Sequence, residues 1–67
     1  MKTFVTRFII KSKSNTVRYK NGNISAREYM LLQLSLIDLS TITNSIDEYV
    51  EITNAIYTDC ESVGVGL

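Results

Sequence analysis

A chain of 67 residues with seven Lys/Arg, seven Asp/Glu, one cysteine and no histidine holds one domain at most, near the length at which a single core supplies only about 3–5 kcal/mol and a further staple is needed. Cys60 alone excludes an internal disulfide, and without histidine it excludes the usual Cys/His zinc sets. A lone thiol, no secretory leader pattern, and a first apolar stretch cut by Arg7 well short of the roughly 18 residues of a membrane span lead us to expect a cytoplasmic protein stapled by oligomerisation.

In chain order, Thr3 to Lys11 alternates, with Phe4, Thr6, Phe8 and Ile10 opposite Val5, Arg7, Ile9 and Lys11, and is rich in β-branched and aromatic types; the pattern predicts a strand. Ser12-Lys13-Ser14-Asn15 has the length of a hairpin loop, and Thr16 to Lys20 alternates again. Asn21-Gly22-Asn23 accepts positive φ and ends the second strand or turns it into a short third one. Residues 1–23 are thus expected to form a basic β-hairpin.

Ser25-Ala26-Arg27-Glu28 has the form of a capping box, so a helix should run from Ala26 to about Leu39. That segment is apolar nearly all round, which requires cover on more than one side. A competing reading makes residues 34–43 a strand, since Leu34 and Leu36 alternate with Gln33 and Ser35 and Thr41-Ile42-Thr43 is β-prone. Ser45-Ile46-Asp47-Glu48 repeats the capping pattern, and the helix it opens, to about Ser62, is amphipathic: Ile46, Tyr49, Val50, Ile52, Ile56, Tyr57, Cys60 and Val63 against Asp47, Glu48, Glu51, Asn54, Thr58 and Glu61. Gly64 suits the position past a helix end, and residues 64–67 read as a frayed tail. The expected fold is one α+β domain over residues 1–67, a hairpin packed on two helices over 24–63 (ββαα, or ββαβα with the extra strand).

The zero net charge conceals a division. All seven basic residues lie between Lys2 and Arg27, and every residue charged after that is acidic. No catalytic residues are expected: there is no histidine to serve as base, and Cys60 sits on the apolar stripe of the last helix with no neighbouring cation to activate it. No metal or cofactor is expected either, because Asp47 and Glu51 offer one helix face without a loop, and Gly22, Gly64 and Gly66 make no phosphate loop.

Two binding constellations remain. The acidic helix face, which carries Asp47, Glu48, Glu51 and Glu61, suits a protein partner with a basic surface, with Asp47, Glu48 and Glu51 supplying the complementary charge and Tyr49 and Tyr57 as anchors. Arg7, Lys11, Lys13, Arg18 and Lys20 suit the phosphates of a nucleic acid, although the isoelectric point near 6.1 is low for a dedicated binder. The surplus apolar side of the first helix, including Leu31, Leu34 and Ile37, is expected to close on a second copy as a homodimer interface. The absence of Pro and Trp, with abundant Ile, Ser, Thr and Asn, is a bias common in bacteriophage reading frames. The leading expectation is a small phage-encoded, non-enzymatic modulator that inhibits a host protein, with a nucleic-acid module or an assembly subunit as alternatives and no role at a membrane.

Overall fold

Three α-helices make the fold: α1 (Thr3–Lys20), α2 (Ala26–Ser40) and α3 (Ile46–Ser62), in a computed structural model that describes residues 3–67. The expected N-terminal hairpin is absent. No strand occurs among the described residues, so the α+β architecture, in both its ββαα and ββαβα forms, is corrected to an all-α bundle of three helices.

The reason lies in which residues of the first segment are buried. Alternation in Thr3 to Lys11 places Phe4, Phe8 and Ile10 together, but a helical spacing is present in the same residues once polar members are admitted. Val5, Ser12 and Thr16 are buried and Phe8, Ile9 and Tyr19 are half-buried, which is one stripe at steps of three and four. Ser12 and Thr16 are the members that pattern reading assigned to a loop and a second strand. Thr16 Oγ1 donates back to the Ser12 carbonyl at 2.8 Å, so its hydroxyl is satisfied within the helix. Packing overrides the β-propensity of the segment.

Four of the helix ends have an identifiable cause. Gly22, at φ 76°, closes α1: its N–H donates to the Tyr19 carbonyl at 3.0 Å and the Asn23 N–H reaches the Arg18 carbonyl at 2.9 Å, the paired bonds of a Schellman cap. The positive φ read from Asn-Gly-Asn is therefore correct in kind, but it terminates a helix. Ser25 caps α2 with the full box. Its hydroxyl accepts from the Glu28 N–H at 3.1 Å and the Glu28 carboxylate accepts from the Ser25 N–H at 3.0 Å. At α3 only half the expected box forms: Ser45 Oγ accepts from the Glu48 N–H at 3.3 Å, while the Glu48 carboxylate turns to the Thr43 hydroxyl at 2.7 Å. Residues 34–43 continue α2 to Ser40 and then turn, with no strand.

Gly64, at φ 73°, repeats the closure seen at Gly22, with the Val65 N–H on the Cys60 carbonyl at 3.0 Å. That closure folds Val65, expected in a frayed tail, back into the core. Val5, Ile24, Tyr29, Leu36, Ile52, Ile56, Cys60 and Val65 form this core, with Phe4, Phe8, Ile9, Tyr19, Ile37 and Val63 packed against it. α2 runs antiparallel to α1. Tyr19, near the end of α1, stacks on Tyr29, near the start of α2, with ring centroids 5.0 Å apart. The beginning of α1 lies beside the end of α2, where Phe4 and Phe8 share a groove with Leu39 and Ile42. No helix among the described residues is long and apolar enough to cross a membrane.

Candidate protein-binding surfaces

A buried polar seam joins the three helices. Ser12 of α1 donates to Asp59 Oδ2 of α3 at 2.7 Å and accepts from Gln33 Nε2 of α2 at 2.8 Å. Gln33 Nε2 also reaches the Tyr29 hydroxyl at 3.3 Å, and that hydroxyl shares a 2.8 Å bond with Thr16 Oγ1. At the margins Asn15 Nδ2 donates to Gln33 Oε1 at 3.2 Å, and Lys13 Nζ meets Asp59 Oδ1 at 3.0 Å. Among the described residues no buried side-chain N or O atom lacks a partner. Burial, with the Cys60 thiol close by, holds the Tyr29 hydroxyl neutral and raises its pKa above the ordinary value.

This seam was not found by reading the sequence, and its chemistry is structural. Its hydrogen-bonding groups bind one another and the seam is sealed from solvent at Ser12 and Gln33. A fully satisfied network of this kind sets register between helices: sliding α2 one turn along α1 would bury unpaired amide and hydroxyl groups at about 1–3 kcal/mol each. Cys60, a free cysteine, is buried beside it. Among the described residues no group of three or more Cys, Asp or Glu side chains could hold a metal ion.

The outer surfaces follow from the angle at which each helix meets the core. In α3 the buried Ile52, Ile56, Asp59 and Cys60 define the inner side. At about 100° per residue, Ile46, Val50 and Tyr57 line up along one outer edge, and all three are exposed, Ile46 by 74%. Asp47, Asn54 and Glu61 stand next to that edge and are exposed as well. The expected acidic patch is therefore redistributed. Asp47 and Tyr57 lie on the outer surface, Glu48 is bound to Thr43, Tyr49 is half-buried, and Glu51 is half-buried with an interaction of its own. Glu61 is exposed beside Asp47, and Ile46 and Val50, to which no binding role was assigned from the sequence, are exposed along the same edge.

The basic residues expected on a hairpin share α1. Arg7, Lys11 and Arg18 fall on its outer face, spanning about 16 Å at 1.5 Å per residue, and Arg18 acts on Glu28 of α2. That carboxyl lies below its ordinary pKa, first through the Ser25 N–H and hydroxyl and last through Arg18. Lys13 is engaged with Asp59, and Lys20 sits in the last helical turn, where the helix dipole favours a cation. Arg7 and Lys11 also flank an open groove of about 230 Å³ floored by Phe4, Phe8, Leu39 and Ile42.

Of the three residues expected at a dimer interface, Leu31 and Leu34 are exposed by 54% and 43%, whereas Ile37 packs against the core. Compared with protein-family models, curated proteins and solved structures, the chain matches none.

Proposed function

We propose that the protein is a non-enzymatic binding module that docks on a partner protein through the outer edge of α3 and modulates that partner by covering a site on it. The observation that carries this reading is the exposed stripe of Ile46, Val50 and Tyr57 with Asp47 and Glu61 beside it. Single exposed apolar residues are ordinary, but an aligned set with an aromatic member and a charged border has the anatomy of an interface core and its rim. An exposed tyrosine is a favoured anchor because it brings a large contact area at low entropy cost. The partner chemistry that fits is an apolar patch bordered by Lys or Arg. The residue bias of the chain supports a bacteriophage as its source and a host protein as its target.

The experiment compares tagged wild type with Val50→Glu, Tyr57→Ala and the pair Asp47→Lys with Glu61→Lys on nuclease-treated extract, followed by association kinetics with the protein retained. Val50→Glu and Tyr57→Ala should each lose a stoichiometric partner, by about tenfold or more in Kd. The charge pair should chiefly slow association and flatten its dependence on salt. A partner held equally by all four proteins overturns the α3 reading. Retention that vanishes with nuclease, and nucleic-acid affinity that falls steeply with salt, would instead assign function to Arg7, Lys11 and Arg18.

A further inference from the structure

The exposed face of α2 carries four residues in a pattern that complements itself. Arg27, Leu31, Leu34 and Asp38 follow one another at steps of four, three and four, the spacing of a helix-pairing seam. They project from the side of α2 opposite Tyr29, Gln33, Leu36 and Ser40, the residues it buries. The four are placed evenly about a point midway between Leu32 and Gln33. Reversing the direction of the helix exchanges Arg27 with Asp38 and Leu31 with Leu34.

From this arrangement we propose that a second copy of the chain pairs with the first through α2, antiparallel and about a two-fold axis passing between Leu32 and Gln33. Leu31 of each copy packs on Leu34 of the other, and Arg27 of each pairs with Asp38 of the other.

Two further observations favour this occupant. Arg27 and Asp38 are exposed and neither has an ion-pair partner among the described residues. Both also stand at the wrong end of their own helix. Arg27 is a cation in the first turn of α2, where amide groups point outward, and Asp38 is an anion in the last turn, where no basic residue accompanies it. The helix dipole opposes each placement. In the antiparallel pair each charge lies against the opposite end of the neighbouring helix and against its opposite charge, so both placements become favourable. An isologous interface doubles every such contact. The inference uses α2 alone and is independent of the α3 reading.

Sedimentation equilibrium measures the mass, 7.6 kDa for one chain and twice that for the pair, while circular dichroism reports folding. Wild type should be a reversible dimer. Arg27→Asp and Asp38→Arg should each weaken it about tenfold or more while remaining helical. Mixing these two variants should restore a heterodimer, and the double variant R27D/D38R should restore the homodimer, because each case again brings unlike charges together. A monomeric wild type overturns the proposal, and so does a dimer that ignores both single charge changes. A dimer weakened by them but restored by neither the mixture nor the double variant overturns the antiparallel register. Loss of the α3 partner in the earlier experiment leaves each of these results unaffected.

Discussion

α2 and α3 are neighbours of similar length, 15 and 17 residues, and they divide polar from apolar in opposite ways. α3 turns Ile52, Ile56 and Cys60 inward and Asp47, Asn54 and Glu61 outward, with Asp59 as the one charged residue it buries. α2 buries Gln33 and Ser40 with Tyr29 and Leu36, and exposes Met30, Leu31, Leu32, Leu34 and Leu39. The difference teaches that the interior of this protein has two parts. One is held by apolar volume and the other by hydrogen bonds, while much of the apolar surface of α2 remains exposed.

The apolar part should yield the largest effect. Ile56 is fully buried, and Ile56→Ala removes buried methyl groups and leaves a cavity that three short helices close only in part, at about 2–5 kcal/mol. Chemical denaturation should show this as a lower midpoint at unchanged slope. The polar part should respond less but more specifically. Asp59→Ala takes the acceptor from the Ser12 hydroxyl while Gln33 still donates to it, and frees Lys13 into solvent, at about 1–3 kcal/mol. If the cost were to match that of Ile56→Ala, the seam would be contributing packing as much as register.

These two regions also explain what could be read in advance. The capping residues of α2 and α3 were legible because Ser25 with Glu28, and Ser45 with Glu48, act within four residues, and Ile52, Ile56 and Cys60 of the inward side of α3 were legible because they are apolar, whereas the Asp59 buried with them was not. α1 was misread because two members of its inward stripe, Ser12 and Thr16, are polar and owe their burial to Asp59, Gln33 and Tyr29, as many as 47 residues away. No local pattern reports a partner at that distance. The outer surface of α3 was less legible: Asp47 is exposed as its polar position suggested, but Tyr57, Ile46 and Val50, read as members of the apolar side, are exposed as well, and Glu48 is diverted to Thr43, because exposure depends on how α3 is rolled against its neighbours.

Tyr29 offers a test of the polar region by pH alone. Its hydroxyl is neutral in the folded chain to a higher pH than the ordinary value of 10.0, chiefly through burial. In the unfolded chain it ionises at that ordinary value, so above pH 10 the unfolded state releases a proton that the folded state keeps. The stabilisation is therefore fully present below pH 10 and declines as the pH rises beyond it. Tyr29→Phe retains the ring against Tyr19 and leaves Thr16 its bond to the Ser12 carbonyl, so it should cost about 1 kcal/mol near neutrality. Its melting temperature should then fall less steeply than wild type between pH 9 and 11, as thermal scans across that range would show, and parallel curves would mean that Tyr29 ionises as freely folded as unfolded.

The smallest effect on the folded monomer is expected on the outer face of α2, and it separates folding from association. Leu31→Ser and Leu34→Ser remove exposed side chains that make no contribution to the core, so unfolding measured at a concentration too low for pairing should shift by no more than about 0.5 kcal/mol. At high concentration wild type gains stability from every contact made only when folded and paired, and its melting temperature should rise with concentration. The two serine variants should lose that rise. A loss of several kcal/mol at low concentration would place these leucines inside the monomer's own core and reverse the roll of α2. A concentration dependence retained by both variants would move the self-interface off α2, onto the stripe of α3 or the groove between α1 and α2.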